Sequence, residues 1–228
     1  MFRGPFRGRE ILQQLEIIGN ESAPIILLTG FFTGAVFGLQ IGGIFLIFRA
    51  ESLMGGATAI ALATELAPLV AAFLLIGRVG AAMTAEISTM VVQEQVLALE
   101  AMGVHPIHYL VVPRVVASMV MMPLLCGIFM AVGVFGALLI GLFLYDVDQG
   151  VFFERVTTMV VGHDIVAGLR KMLVFSFFIS AICCRRGLSA SGGAKGVGLA
   201  TTTAVVTSLL MVLCIDFLIS YFQIRWIS

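Results

Sequence analysis

The chain has 228 residues, of which 60% are hydrophobic and 11% charged, and its formal net charge is zero. A neutral chain with few charges lacks the basic surface by which proteins bind nucleic acids. The apolar residues come in blocks of about 20 or more, the length that crosses the hydrocarbon core of a bilayer. Because these blocks are apolar on all sides, they exclude a β-barrel and predict an all-α integral membrane protein with a single transmembrane domain.

Residues 1–23 precede the first apolar block. Ile11, Leu12, Leu15 and Ile18 recur there at helical spacing, with polar residues between them. This pattern favours an N-terminal interfacial helix that lies in the membrane surface, although a short helix packed on the other spans would satisfy it too.

Glycines recur at every fourth position of the first predicted span, residues 24–48. They are Gly30, Gly34, Gly38 and Gly42. This spacing places them on one ridge, along which another helix can approach closely. An apolar strip at helical spacing runs beside the ridge, made of Phe37, Ile41, Ile44, Phe45 and Phe48. The strip suits either contact with membrane lipid or the wall of a cavity for an apolar ligand.

The second predicted span, residues 58–90, contains charged residues and a proline. Glu65 lies well inside the apolar block, where a charge costs about 3 kcal/mol on insertion scales, so it is expected to face a bundle interior or a wet cavity. It is a functional candidate, with a structural hydrogen-bonding role as the alternative. Pro68 should kink the helix because it lacks a backbone donor. Arg78 and Glu86 are expected to pair with other spans.

Residues 91–103 have mixed polarity and predict a short amphipathic helix at the membrane face. Leu99 lies on its apolar side, whereas Glu94 and Glu100 lie on others, and Gly103 suits the C-cap. An ordinary interfacial connector is the alternative interpretation.

Three further spans are predicted at 113–144, 165–184 and 199–222, with a short external helix and loop at 146–164. The glycine-rich segment 185–198 is predicted to be a loop. It fails the phosphate-binding loop pattern, because Gly193 and Ala194 occupy the positions that require Lys and Ser or Thr.

Two basic residues, Arg170 and Lys171, lie in the first third of the fourth span. Extension of their side chains to the lipid head groups, or pairing with Asp164, is the expected arrangement. In the fifth span, Asp216 requires an internal partner.

The basic residues favour a cytoplasmic N-terminus and, after five spans, a C-terminus on the opposite face. With that orientation seven basic residues lie near inner ends: Arg3, Arg7, Arg9, Arg114, Arg185, Arg186 and Lys195. Three lie near outer ends: Arg49, Arg155 and Arg225. Residues 91–103 and 185–198 would then both be cytoplasmic.

Catalytic and metal-binding patterns are not found. There is no Ser, His and Asp set and no HExxH motif, and the predicted topology divides the three histidines between two membrane faces. We therefore predict no catalytic residue and no metal site, but a transport or channel scaffold whose energy comes from another chain.

Three separated blocks resemble the MlaE/YrbE family, the permease subunits of ABC transporters that work with MCE-domain proteins. They are TELAPLVAAFLLIGRVGAAMTAEISTM, EQVLALEAMGVHPIHYLVVPR, and GGAKGVGLATTTAVVTS with Asp216 downstream. The resemblance implies a homodimer of five-span subunits in the bacterial inner membrane, with two ATPase subunits on one side and a ring of MCE proteins on the other. It also implies that the cargo is phospholipid or a related lipid, and that ATP and Mg²⁺ bind to the ATPase, leaving this chain without a cofactor.

The resemblance assigns residues to both sites. The implied lipid-binding positions are Phe37, Ile44, Phe45, Phe48, Glu65 and Leu66. The implied ATPase-coupling positions are Glu94, Gln95, Leu99 and Glu100. The chain departs from several relatives at Thr64, where they carry an arginine before the glutamate, so an Arg and Glu pair is not implied here.

Two other functions fit the residues. One is an ATPase-independent channel or carrier that uses Glu65 and Asp216 for ion coupling, and the other is a membrane scaffold that anchors the MCE ring.

Overall fold

A computed structural model describes residues 8–227, and all regular structure in that range is helical. The helices are α1 (Gly8–Ile47), α2 (Glu51–Val92), α3 (Gln95–Ala101), α4 (Ile107–Leu144), α5 (Gln149–Met159), α6 (Gly162–Leu188) and α7 (Gly193–Ile227). Five of these, α1, α2, α4, α6 and α7, are long and apolar enough to cross a bilayer. The predicted class, an all-α membrane protein, is confirmed.

The described part of the predicted interfacial helix is not a separate helix, because α1 continues from Gly8 to Ile47 through Pro24. A proline removes one backbone hydrogen bond, which a helix tolerates where packing fixes the neighbouring turns. Such packing is present on both sides of Pro24, since Ser22 and Ile26 are fully buried. Arg3 and Arg7 lie outside the described residues.

The chain divides into two compact units. The first unit comprises residues 23–71 and 123–172, and the second comprises residues 8–22, 72–122 and 173–227. All predicted lipid-binding positions belong to the first unit and all predicted coupling positions to the second. Helix α2 contributes residues 51–71 to one unit and residues 72–92 to the other.

The glycine ridge of α1 packs closely on α4 in the first unit, as its spacing predicts. A Cβ on Gly34 would overlap the carbonyl group of Gly133, and one on Gly38 would come within 3.0 Å of the Ala137 Cα. Backbones can approach this closely only where the side chains are minimal. The ridge therefore fixes the register between α1 and α4.

Helix α5 closes one end of the first unit. Its N-cap is Asp148, whose Oδ1 accepts hydrogen bonds from the backbone of Gly150 at 2.7 Å and of Val151 at 3.3 Å. Phe152, one turn later, is buried beside Ala137 of α4. The short helix is thus held by a cap and one aromatic anchor.

In the second unit, the final segment of α2, Ala81–Val92, packs along α7 and against α6. A Cβ on Gly187 of α6 would lie 2.9 Å from the Ile87 Cβ. The Thr84 hydroxyl donates to the Cys183 carbonyl at 3.3 Å, and that of Ser88 to the Gly187 carbonyl at 3.4 Å. The C-terminal ends of α2 and α6 therefore lie at the same end of this unit.

The predicted glycine-rich loop 185–198 is much shorter in the structure. Helix α6 continues to Leu188 and α7 begins at Gly193, which leaves a turn of residues 189–192. Gly192 and Gly193 have φ values of +89° and +69°, a left-handed conformation that glycine adopts readily. Two such residues in succession reverse the chain within a few positions, so most of the segment is helical.

Candidate functional site

The carboxylate predicted inside the membrane, Glu65, forms an ion pair with Lys171 of α6. The Lys171 Nζ lies 2.7 Å from the Glu65 Oε2. The lysine side chain is 1% exposed and the glutamate side chain 48% exposed. A buried ammonium requires a nearby negative charge, because its desolvation is costly. Glu65 thus neutralises Lys171 and still presents part of its carboxylate outside the packed interior.

The expected arrangement of Lys171 is therefore wrong: it neither extends to the head groups nor pairs with Asp164. The Asp164 Oδ2 instead accepts a hydrogen bond from the Val161 backbone at 3.0 Å. The reason lies one turn from Lys171, where a Cβ on Gly168 would overlap the Ala63 carbonyl oxygen. This close approach of α6 to α2 brings the lysine within reach of Glu65.

Glu65 lies in a π-helical turn, Leu62–Leu66, and not in regular α-helix. The Ala67 N–H, directly after the turn, donates to the Leu62 carbonyl five residues earlier. Pro68 follows, and in a regular α-helix its ring would meet the Thr64 carbonyl. The wider turn avoids that collision, so Pro68 changes the backbone that carries Glu65.

The same arrangement recurs at the start of α4. The π-helical turn Ile107–Val111 closes with the Val112 N–H bonded to the Ile107 carbonyl, and Pro113 follows. A third π-helical turn, Ile76–Gly80, carries Arg78 without a proline. Two of the three turns thus have the same steric cause, a proline two residues after the turn.

The predicted apolar strip of α1 is only partly covered within the chain. Ile44 and Phe48 are 56% and 73% exposed, while Phe37, Phe45 and, on α2, Leu66 are half-buried. The strip and the exposed part of Glu65 belong to the same unit. This unit therefore offers both an apolar surface and a carboxylate.

The predicted helix 91–103 is shorter in the structure. Val91 and Val92 complete α2, and α3 covers only Gln95–Ala101. Glu94, between the two helices, has a φ of +59°, a left-handed conformation that interrupts the helix. The chain therefore makes a corner at Glu94 before α3 begins.

Helix α3 ends in a Schellman motif, as expected for the glycine at position 103. The Val104 N–H donates to the Leu99 carbonyl at 3.0 Å, and the Gly103 N–H donates to the Glu100 carbonyl at 2.9 Å. Gly103 has a φ of +74°, which the motif requires. Backbone bonds alone thus define both ends of this short helix.

None of the residues of α3 is buried. Glu94, Gln95 and Glu100 are exposed and Leu99 is half-buried, while Leu97 is 62% exposed. A seven-residue helix is too short to be stable through its own hydrogen bonds. An exposed helix with apolar and acidic side chains is suited to contact with a partner protein.

Ion pairs hold the helical segments on both sides of α3, and these confirm that Arg78 and Glu86 pair with other helices. Arg78 forms an ion pair with Glu21 of α1. The Arg114 Nη2 of α4 lies 3.0 Å from the Glu86 Oε2, and the arginine side chain is only 11% exposed. These contacts lie within the second unit and tie α1, α2 and α4 together.

Sequence reasoning missed Lys171 as the partner of Glu65. The signal was present in the sequence. A carboxylate in one span and a lysine in another each cost free energy if they are buried alone, and that cost falls when the two form a pair. Asp216, the other predicted intramembrane acid, is half-buried.

A comparison with protein families finds a match to the family model described as Permease MlaE over residues 11–222. The chain belongs to the MlaE permease family. Among its relatives, a probable ABC transporter permease protein of Synechocystis sp. is 42% identical over 99% of this chain and 86% of its own length. One from Rickettsia prowazekii is 41% identical, over 92% of this chain and 81% of its own length. The chloroplastic protein TRIGALACTOSYLDIACYLGLYCEROL 1 of Arabidopsis thaliana is 36% identical, over 97% of this chain and 63% of its own length.

This MlaE permease is a multi-pass membrane protein and a transmembrane permease subunit of the ABC transporter type. The resemblance stated from the sequence is confirmed.

Proposed function

We propose that this MlaE permease moves phospholipid between the bacterial inner membrane and MCE-domain proteins. In this proposal two copies of the chain form a homodimer that binds two ATPase subunits on the cytoplasmic side and a ring of MCE proteins on the other. The N-terminus is cytoplasmic and the C-terminus periplasmic. The chain itself is not catalytic, and ATP and Mg²⁺ bind to the ATPase.

One observation carries the proposal: the same unit contains the apolar strip of α1 and the ion pair between Glu65 and Lys171. Acyl chains suit the exposed side chains of Ile44 and Phe48, together with the half-buried Phe37, Phe45 and Leu66. A polar head group suits the exposed part of Glu65, which Lys171 keeps in a neutral pair. A surface that is both apolar and polar favours an amphipathic cargo over an ion.

The relatives support a lipid cargo only through one name. The name of the Arabidopsis relative contains that of a galactolipid, trigalactosyldiacylglycerol. Other relatives are named as probable ABC transporter permeases, which supports an ATPase partner.

Helix α3 is the proposed contact for the ATPase. Its exposed acidic residues Glu94 and Glu100, with Gln95 and the half-buried Leu99 beside them, form the docking surface. ATP binding would draw the two ATPases together and move α3 with them. Lipid would then be displaced toward the MCE proteins.

Site-specific photocrosslinking in proteoliposomes tests the lipid site. A photoreactive residue at Phe48 is compared with one at Phe143, an equally apolar position of the same unit that is 83% exposed. We expect lipid labelling from position 48 to change when vanadate traps the ATPase, while labelling from position 143 stays constant. Identical labelling from both positions in both states would mean that the strip faces bulk lipid.

A transfer assay separates the alternatives. Lipid transfer to an MCE acceptor should require ATP and the ATPase. Transport that needs a proton gradient and no ATPase would instead indicate a carrier using Glu65 and Asp216. A purified complex that retains no lipid would indicate a scaffold for the MCE ring.

A further inference from the structure

The turn between α6 and α7 and the helix ends beside it carry a cationic cluster, formed by Arg185, Arg186 and Lys195, that the proposed function does not use. All three side chains are exposed. None of them forms an ion pair within residues 8–227. From Ile165 to Ile215 the sequence contains no Asp or Glu. The cluster therefore presents three charges that no ion pair within the described residues neutralises.

One member of the cluster, Arg186, lines a depression that has both polar and apolar lining residues. Arg186, Ser189 and Ser191 contribute polar groups on one side. Leu199 and Ala200 of α7 contribute apolar surface on the other side, where Leu199 is 61% exposed, and Thr203 adds a hydroxyl group one turn later. A phospholipid likewise combines an anionic phosphate with apolar acyl chains.

Beyond the exposed Thr202 and Thr203, exposed apolar side chains recur along α7. Val206 and Leu210 are 50% and 60% exposed, and the most apolar window of this helix is only 11% buried within the chain. An acyl chain attached to a head group in the depression would meet an uncovered apolar helix. A soluble protein domain would not, because the apolar part of α7 belongs to the membrane.

The backbone of the turn is fixed by its glycines. A Cβ on Gly196 would overlap the Ser191 carbonyl oxygen, so the turn lies directly on the first turn of α7. Gly192 and Gly193 have positive φ values. The shape of the depression is thus set by the fold and does not depend on a bound partner.

We propose that this cluster binds the phosphate of an anionic phospholipid from the leaflet that surrounds the α6 and α7 ends. Arg185, Arg186 and Lys195 supply the attraction, and Ser191 supplies a hydroxyl group. Arginine suits this task because its guanidinium binds phosphate oxygens in a bidentate manner. The site is separate in sequence and chemistry from Glu65, and it does not depend on the direction of transport or on the ATPase.

The test is native mass spectrometry of the full-length chain released from bilayers of equal parts phosphatidylglycerol and phosphatidylcholine. For the triple variant Arg185→Gln, Arg186→Gln and Lys195→Gln we expect retained phosphatidylglycerol to fall about fivefold or more, the effect of losing at least one basic residue near a membrane surface. Retained phosphatidylcholine should not change. The conservative variant Arg185→Lys with Arg186→Lys should keep most of the binding, because it keeps the charge.

A matched control removes three exposed arginines elsewhere, Arg9, Arg49 and Arg155. An equal loss of phosphatidylglycerol in this control would overturn the proposal, since the effect would then reflect total charge. Unchanged binding in the triple variant would overturn it as well. In the complex purified with its ATPase, loss of that subunit from the triple variant, with phosphatidylglycerol retained, would overturn the lipid assignment and assign the cluster to protein docking.

Competition with inorganic phosphate tests whether the site binds the whole lipid or only a phosphate group. Millimolar phosphate should not displace phosphatidylglycerol, because the acyl chains also contact α7. Complete displacement would assign the site to free phosphate and overturn the lipid assignment. Failure of lipid transfer by the wild-type complex would leave these results unaffected.

Discussion

Lys171 and Glu65 form an unequal pair, in which the lysine is fully buried and the glutamate is half exposed, with 2.7 Å between Nζ and Oε2. The buried lysine requires a nearby negative charge, which Glu65 supplies, whereas the glutamate retains some access to its surroundings. Substitutions of the two residues should therefore have unequal effects.

Glu65→Gln should destabilise the protein more than Lys171→Met. The first change removes the carboxylate from a buried ammonium and should cost about 3 kcal/mol, whereas the second removes the buried charge itself and should cost about 1 kcal/mol. Adding Lys171→Met to Glu65→Gln should recover part of the lost stability. The free energy of unfolding in mixed micelles measures all three variants, and a larger loss for Lys171→Met would contradict the predicted dependence.

Gly168→Ala should weaken the packing that brings Lys171 to Glu65. The added methyl group would overlap the Ala63 carbonyl oxygen, a backbone atom that cannot rotate away, so we expect a loss of about 1–3 kcal/mol. Gly162→Ala, in the first turn of the same helix, meets no atom within 4 Å and serves as the control. Thermal unfolding in detergent is the measurement. Equal unfolding temperatures for the two variants would mean that α6 and α2 are not in close contact there.

Pro68→Ala should lower lipid transfer without lowering the stability of the protein. Without the proline ring, the turn Leu62–Leu66 can close as α-helix, and removal of a helix-interior proline is worth up to about 3 kcal/mol in soluble hosts. The variant should be at least as stable as the wild type, but Glu65 should be displaced and lipid transfer should fall. Pro123→Ala, in a stretch of regular α-helix in α4, should leave transfer unchanged. Wild-type transfer by Pro68→Ala would show that the wide turn is not needed.

Charge reversal on α3 should release the ATPase. Glu94→Lys with Glu100→Lys reverses two exposed charges on the proposed docking surface, which removes any charge complementarity with the partner. We expect loss of ATPase co-purification without a change in the unfolding temperature. Glu154→Lys on α5, which is also exposed, provides the control. Normal co-purification and normally stimulated ATP hydrolysis in the double variant would refute the assignment of α3.

Substitutions at Glu94 also test the left-handed backbone conformation at the corner between α2 and α3. Glu94→Gly removes the charge and relieves the left-handed conformation, whereas Glu94→Val places a β-branched side chain there, at a cost of about 1–2 kcal/mol. The glycine variant should be more stable than the valine variant. The same free energy of unfolding for both would argue against a left-handed residue at this position.

The sequence alone determined the class of protein and several local contacts. Runs of apolar residues identify spans because a bilayer accepts only backbone that is hydrogen-bonded within itself. The spacing of Gly34 and Gly38 predicted a close helix contact, and Gly103 predicted the end of α3, because each follows from the geometry of one helix. The pairing of Arg78 and Glu86 with other helices followed from the cost of isolated charges.

Only the tertiary structure identified partners and altered backbones. Glu65 and Lys171 are more than 100 residues apart, and their contact depends on the close approach of Gly168 to Ala63. The π-helical turn before Pro68 was expected only as a kink, because a single sequence does not show which backbone adjustment the surrounding helices permit. The same applies to α1, whose continuity through Pro24 is fixed by buried neighbours, and to the turn before Gly193, whose brevity depends on packing against α7. Local propensity sets where a helix can form, and the packing between helices sets where it continues and which charges meet.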